Sequence, residues 1–185
     1  MKLLYFKEHL SCINYQINVN TGFVYYNLEK DSVSKIDNSA SPCILFLLDG
    51  EVSIDSGEYQ NVHIEKDKMV LIPQHVDNKI EVIYDAKCLL LFWNKDIRVC
   101  DKVYMNSLSS YKERKKEMCV LPIRDPLQAV LNSVVAYLYA KMQCKHMHLI
   151  KQQEVLLVFE RILYEERIIY FFSSILGIQG ILKIL

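Results

Sequence analysis

The sequence has few of the residues that interrupt regular structure, with only 5 glycines and 4 prolines among 185 residues. It has no low-complexity segment and no internal repeat, and 51% of its residues are hydrophobic. These features exclude a disordered or repetitive protein, because such chains need a biased or periodic composition. A chain of this length can bury one good core with a small appendage, but scarcely two ordinary domains.

The sequence also lacks an excess of either charge, since 22 Lys and Arg residues balance 22 Asp and Glu residues. Without net positive charge, no long-range electrostatic field would hold the chain on phosphate backbones or anionic lipid. We therefore predict that this chain by itself binds nucleic acid poorly.

No CxxC pair occurs in the sequence. The six cysteines stand singly, at Cys12, Cys43, Cys88, Cys100, Cys119 and Cys144. This spacing excludes a disulfide scaffold and is typical of small buried hydrophobic residues in a reducing compartment. Lys7, Glu8 and His9 interrupt the apolar N-terminal patch, so no signal peptide is predicted. We expect a cytoplasmic protein.

The first hundred residues contain short apolar runs rich in Val, Ile, Tyr and Phe, which is typical of strands in a sandwich or barrel. We predict strands at residues 22–27, 42–50, 51–56, 61–64, 68–73, 78–85 and 87–94. Asp49-Gly50 and Ser56-Gly57 can supply the positive φ that tight hairpins need. Successive hairpins of this kind predict a rolled antiparallel sheet.

The apolar spacing becomes helical from Asp125 onward, and one stripe contains Leu127, Val130, Leu131, Val134, Leu138 and Met142. Asp125 is a candidate N-cap, Pro126 suits the first helical position, and Gln128 stands where a capping-box partner belongs. A second helix is predicted from about His148 to Tyr164. Its apolar face is too wide to be left in water.

A third apolar segment occupies residues 168–185. Its length approaches that of a membrane span, but Ser, Gly, Gln and Lys residues interrupt it. We therefore prefer a short packing helix, Ile168 to Leu176, over a membrane anchor.

Residues 47–78, LLDGEVSIDSGEYQNVHIEKDKMVLIPQHVDN, resemble the signature of the cupin family. The matching features are a strand ending at Gly50, a second strand, a charged turn at Lys66-Asp67-Lys68, and an apolar run ending at Pro73. The resemblance implies a double-stranded β-helix, or jelly roll. Metal-binding cupins also carry several convergent histidines and a Glu, because a divalent ion needs three or four ligands. PCILFLLD stands here instead of the first histidine pair and only His75 matches, so no metal or cofactor is predicted.

Cys144, His146 and His148 form the other dense group of potential ligands, at the predicted connection between the helices. Ligands at alternate positions converge on one ion only from an extended segment, and no fourth ligand is obvious. We expect a solvated connection there. No nucleophile elbow, phosphate-binding glycine loop or HExxH helix occurs in the sequence, and no catalytic residue is predicted.

Residues 125–177 resemble the segment that joins the sensor barrel to the DNA-binding part in AraC-type transcriptional regulators. The matching features are a helix ending in Tyr-Leu, the KQQE segment, Phe-Glu-Arg followed by Tyr164, and the Phe-Phe…Ile-Leu-Gly string. Such regulators continue with two helix-turn-helix units, and this chain stops where they should begin. The resemblance implies the regulatory half alone, with DNA contacted only through the missing part.

These observations together predict an α+β fold. Residues 1–105 form a cupin-like antiparallel β-barrel, residues 106–124 a connection, and residues 125–185 a helical dimerisation and linker segment. The implied function is effector sensing and dimerisation in an AraC-type regulator. Two alternatives stay open: a small stand-alone cupin enzyme, and a truncated regulator that blocks an intact one by forming heterodimers.

The predicted partners are a second copy of the chain and a small-molecule effector of unknown chemistry, and no membrane contact is expected. The candidates for ligand contact are His75, Tyr25, Phe46, Tyr84, Phe92 and Trp93. Plain core packing is the competing interpretation for each of them. The candidates for dimerisation are Leu127, Val130, Val134, Leu138, Leu156 and Phe159.

Overall fold

A computed structural model describes residues 22–92, 118–142, 144–162 and 171 of the chain. These residues form one seven-stranded antiparallel sheet and two helices, in agreement with the predicted α+β composition. The strands are β1 (Gly22–Leu28), β2 (Val33–Ser34), β3 (Cys43–Ser56), β4 (Tyr59–Glu65), β5 (Lys68–Ile72), β6 (Asn78–Phe92) and β7 (Val120–Pro122). The helices are α1 (Leu127–Tyr139) and α2 (Lys145–Ile162).

The two long strands β3 and β6 form the centre of the sheet. They pair from Cys43 opposite Phe92 to Ser56 opposite Asn78, and their register shifts between Leu47 and Val52. Such irregularities bend and twist a strand pair. On the outer sides, β6 pairs with β1 and β2, β3 pairs with β4 and β5, and β7 continues from β5.

The hydrogen-bonded sheet is open in the described part of the chain. Its path runs from β1 through β6, β3 and β5 to β7, and no pairing of described residues joins the two ends. The closed barrel expected from the sequence is therefore not seen here, although the bent antiparallel ribbon is compatible with a jelly roll. The apolar pattern identified strands but did not specify which of them pair.

Each long strand joins two segments that the apolar pattern predicts as separate strands. Residues 42–50 and 51–56 belong to β3, and residues 78–85 and 87–92 belong to β6. Gly50 has a positive φ of 84° but lies inside β3 rather than in a hairpin. A Cβ at this position would overlap the carbonyl oxygen of Asp85, so glycine allows β6 to pass closely at the bend. Gly57 does form the predicted turn, between β3 and β4.

Helix α1 begins without the predicted capping box. Its N-cap residue is Pro126, and no side chain caps the free amides. Asp125 therefore lies just outside the helix, and Pro126 precedes the first helical position instead of occupying it. The side chain of Gln128 donates to Asn132 Oδ1 at 3.0 Å, one turn further along the helix.

The sheet has two buried faces because side chains alternate along each strand. The helix-side core lies between the sheet and the helices, and contains Phe23, Ile44, Phe46, Met69, Leu71, Leu89, Leu91, Leu121, Ile123, Leu127, Val130, Leu131, Val134, Val155, Leu156, Phe159 and Phe171. The inner core covers the other face, and contains Ile36, Cys43, Leu45, Leu47, Val52, Ile54, Ile64, Val70, Ile72, Ile80, Val82, Ala86, Cys88, Leu90 and Phe92. Burial of both faces explains the continuous apolar runs CILFLL and CLLLF.

Candidate functional site

The predicted ligand-contact residues do not converge on one site. Phe46 is fully buried in the helix-side core, and Phe92 is buried in the inner core on the opposite face. Tyr25 is half-buried against the helix-side core, where its ring lies 5.4 Å from that of Tyr139. Phe46 and Phe92 therefore pack in the two cores and do not line a common pocket.

Two further candidates lie at the surface. His75 is exposed, in a turn with a positive φ of 60°, and its backbone N–H donates to Asn38 O at 3.3 Å. Tyr84 lines a surface groove of about 500 Å³ formed by residues 30–33 and 81–84, with the ammonium of Lys30 5.8 Å from its ring centre. Trp93 lies outside the described residues.

The inner core contains aliphatic side chains, the ring of Phe92 and two thiols. Burial raises the pKa of Cys43 and of Cys88 to about 12, so both thiols stay protonated at neutral pH. This agrees with the prediction of small buried hydrophobic residues at these positions. Cys119 and Cys144 are half-buried, whereas Cys12 and Cys100 lie outside the described residues.

No metal-ligand group is formed by the described residues, in which three His, Cys, Asp or Glu side chains nowhere come together. Of the C-x-H-x-H group, His146 is exposed and Cys144 half-buried, but His148 is only 4% exposed. The expected solvated connection is therefore wrong for His148. Helix α2 begins at Lys145, earlier than predicted, and its first turn places His148 against β1.

The imidazole of His148 binds the first residues of β1. Its Nδ1 accepts a hydrogen bond from the backbone N–H of Phe23 at 3.0 Å, and its ring stacks on the Phe23 ring at 6.2 Å. Gly22 has a φ of 86°, and a Cβ on it would lie 2.7 Å from Nδ1, so only glycine fits here. Burial lowers the pKa of His148 to about 4. The ring is therefore neutral, with its proton on Nε2.

Gln152, one turn further along α2, binds the last residue of β6. Its side-chain nitrogen donates to the carbonyl oxygen of Phe92 at 2.9 Å, and the side chain is 3% exposed. Its Oε1 is buried and has no partner among the described residues. Phe92 pairs with Gly22 across the β1–β6 ladder. We call Gly22, Phe23, Phe92, His148 and Gln152 the helix–sheet junction.

A second polar contact fixes α2 to α1. The ammonium of Lys151 donates to Ser133 Oγ at 2.8 Å and to Glu154 Oε2 at 2.7 Å, and it lies 5.2 Å from the centre of the Tyr137 ring. Its charge is thus neutralised at the helix–helix contact. The two helices and the sheet are therefore held together by polar contacts as well as by the helix-side core.

The predicted dimerisation residues pack inside the chain. Leu127, Val130, Val134, Leu156 and Phe159 are buried in the helix-side core, and Leu138 packs partly buried against it. The apolar helix faces are thus covered by the sheet of the same chain and are not free for a partner. The sequence showed that these faces must be covered, but not by which surface.

The outer face of α2 exposes two large aliphatic side chains that are not among the residues predicted for a site. Ile150 is 61% and Leu157 is 56% exposed. They lie seven positions apart, so they share one face of the helix. The unusually wide apolar distribution of this segment was the one signal that could have indicated a second apolar face.

None of the described helices is long and apolar enough to cross a membrane. The third predicted apolar segment, residues 168–185, lies outside the described residues except for Phe171. That residue is buried, with its ring 6.2 Å from the ring of Phe159.

Comparison with known proteins gave only partial structural likenesses. No family model and no curated protein matches the sequence. Part of the chain is similar to a cupin-2 domain protein from Shewanella frigidimarina, with 16% identity over 48% of this chain and 91% of that chain, at a TM-score of 0.33. An RmlC-like cupin with a double-stranded β-helix fold from Methanocaldococcus jannaschii gives 15% identity over 40% of this chain and 71% of that chain, at a TM-score of 0.35.

A conserved protein of unknown function from Streptococcus pyogenes gives 12% identity over 40% of this chain, at a TM-score of 0.36, and the alignment spans 64% of its length. These likenesses concern the arrangement of part of the backbone. No functional residue is transferred from them.

Proposed function

We propose that the chain is a non-catalytic regulatory module of the AraC type, cytoplasmic and homodimeric, in which the sheet senses an effector and the helices transmit the response. One observation carries this proposal. Helix α2 is fixed to the sheet on one face and exposes Ile150 and Leu157 on the other. A helix held in this way can relay a change in the sheet to a partner bound on its outer face.

The attachment of α2 supports the relay. The helix–sheet junction joins α2 to the start of β1 and to the end of β6, and the Phe46 and Phe159 rings lie 6.4 Å apart below it. Packed and hydrogen-bonded elements of this kind move together, because cores are close-packed and do not deform continuously. A displacement of β1 or β6 would therefore move α2.

The effector part of the proposal concerns the sheet surface beside Tyr84. Its groove of about 500 Å³ falls within the range of about 300–1,000 Å³ that is usual for small-molecule sites. The exposed ring of Tyr84 would suit a planar ligand, and Lys30, Asp31 and Glu81 supply charged groups of both signs along the groove.

A second copy of the chain is the proposed partner of the outer α2 face. Burial of Leu157 in a dimer would contribute about 1.5–3 kcal/mol per side chain. Analytical ultracentrifugation at increasing concentration should show a monomer–dimer equilibrium for the native chain. Leu157→Glu should raise the dissociation constant at least about tenfold, equivalent to about 1.4 kcal/mol.

Val33→Glu is the matched control when no effector is present, because Val33 is 58% exposed and lies on β2, in the proposed effector groove rather than on α2. This variant should dimerise like the native chain. A native chain that stays monomeric at high micromolar concentration would contradict the dimer, and equal weakening by both substitutions would contradict the proposed surface.

A further inference from the structure

Among the described residues, the imidazole of His148 is a buried titratable group at the contact between helix α2 and strand β1. We propose that His148 is a proton-operated latch: the neutral ring holds the start of α2 on β1, and protonation of the ring releases it. This inference does not depend on the proposed dimer or effector. It concerns how firmly the helical pair is held on the sheet.

The hydrogen bond of His148 requires the neutral ring. Its Nδ1 is the acceptor for the Phe23 N–H, and protonation would put a second N–H in place of that lone pair. Two donors would then face each other at a distance of 3.0 Å. The ring occupies the space beside Gly22 that a side chain would fill, since a Cβ there would lie 2.7 Å from Nδ1.

Among the described residues, no neighbouring charge would compensate for an imidazolium at this position. Strand β1 and helix α1 contain no Asp, Glu, Lys, Arg or His, and their titratable groups are Tyr25, Tyr26, Tyr137 and Tyr139. Burial raises the pKa of both β1 tyrosines, so they supply no negative charge in acid. In β6, residues 88–92 contain only Cys88 as a titratable group.

Helix α2 carries Lys145, His146, Lys151 and Arg161 as its other basic groups. Of its described carboxylates, Glu154 is held by Lys151 at 2.7 Å. A charged His148 would therefore be buried without a counter-charge from the described part of the chain, which is unfavourable compared with the same ring in water.

Release of the latch would be local. His148 lies in the first turn of α2, whereas Val155 and Phe159 further along remain anchored in the helix-side core. The Gln152 bond to Phe92 is one turn from the ring and would loosen next. Acid should therefore detach the start of α2 from the β1 terminus before the chain unfolds.

The amide of Phe23 reports directly on the latch, because its N–H is the donor to His148. The pKa of the ring is about 4 when docked and 6.5 when free. Docking is therefore strongest above pH 6.5 and weakens as the pH falls toward 4. As the pH falls from 6.5 to about 4, the hydrogen-exchange protection factor of the Phe23 amide should decrease about tenfold per pH unit. Below about pH 4 it should level off.

The experiment is amide exchange followed by NMR on the full chain, with three matched proteins. His148→Asn keeps an acceptor oxygen near the position of Nδ1 but does not titrate, so its Phe23 protection should be independent of pH. His146→Asn changes the exposed neighbour and should keep the native slope. The Leu45 amide, in the inner core, separates local release from global unfolding and should remain protected.

Two results would overturn the latch. One is a Phe23 protection factor that stays constant between pH 6.5 and 4.5 in the native chain. The other is an unchanged slope in His148→Asn. If His148→Asn does not fold, NMR titration of the native ring decides: a pKa well below 6.5 combined with pH-dependent Phe23 protection supports the latch, and constant protection overturns it at any pKa.

Discussion

His148 accepts a hydrogen bond from the backbone N–H of Phe23, a residue 125 positions earlier in the chain. This contact joins the first described strand to the last described helix. Gln152 repeats the arrangement one turn later by donating to Phe92 at the end of β6. The start of β1 and the end of β6 lie side by side at one end of the β1–β6 ladder. Both are therefore fixed to the same helix, and the junction can be tested one residue at a time.

Gly22→Ala should destabilise the chain by about 2 kcal/mol or more, because it adds a left-handed backbone penalty to a steric clash. The new Cβ would lie 2.7 Å from the imidazole of His148. Urea unfolding followed by circular dichroism measures the change. Gly57→Ala is the control, since it shares the positive φ but meets only the side chain of Val76. Equal losses in the two variants would argue against a close Gly22–His148 contact.

Gln152→Glu should make stability depend on pH in a direction opposite to that expected for His148. A protonated carboxyl can donate to Phe92 O as the amide does. A buried carboxylate has no proton to donate and would be repelled by that oxygen. The pKa of the new group should therefore rise above the usual value of about 4.3. The variant should be near-native in stability below that pH and lose stability as the pH rises.

The exposed neighbour supplies the control for this substitution. Gln153→Glu changes the charge equally at an exposed position of the same helix, and its stability should follow the native pH profile. Thermal unfolding at pH values from 4 to 8 compares the three proteins. Parallel profiles for the two variants would mean that position 152 is not buried against Phe92.

Phe159→Ala should cost about 3–5 kcal/mol, because it leaves a cavity in the helix-side core. Phe159 contacts Phe46 and Phe171 and is only 2% exposed. Leu157→Ala on the outer face of the same helix should change the stability of the monomer by less than about 0.5 kcal/mol. Denaturant unfolding at low protein concentration separates these values. A small loss for Phe159→Ala would show that α2 does not pack on the sheet.

Cys43 and Cys88 should resist alkylation in the folded chain at pH 8. Burial raises the pKa of each to about 12 and blocks access to the thiol, and only the thiolate reacts. Cys144 is half-buried, and no such block is expected there. Iodoacetamide labelling followed by peptide mass spectrometry gives the rates, with the chain in denaturant as the reference. Rapid labelling of Cys43 or Cys88 in the native protein would contradict the closed inner core.

The proposed non-catalytic role predicts that the purified chain carries no stoichiometric metal. Elemental analysis for iron, manganese, nickel and zinc checks this, before and after treatment with a chelator. One equivalent of a metal that the chelator removes, with a change in stability on its removal, would instead favour a cupin enzyme, since such sites are held by several protein ligands.

The sequence alone determined where most elements lie and which side chains must leave water. The turn at Gly57, the strand character of residues 22–92 and the apolar faces of both helices follow from local periodicity and turn chemistry, which act over a few residues. Periodicity also placed Phe46 in an apolar strand run and Phe159 on an apolar helix face, although the roles predicted for these two residues were ligand contact and dimerisation. These inferences needed no knowledge of what lies opposite each face.

Only the tertiary structure decided what covers those faces. Periodicity indicates that an apolar surface must be buried, but it does not indicate against which surface. The helix faces assigned to a second copy are in fact covered by the chain's own sheet. Because β6 passes closely at Gly50, two segments predicted as separate strands form the single strand β3. Because α2 begins at Lys145, His148 lies in a helix that contacts Phe23 and not in the expected loop. Such contacts join residues far apart in the chain, and their geometry depends on the packing of the whole fold rather than on local spacing.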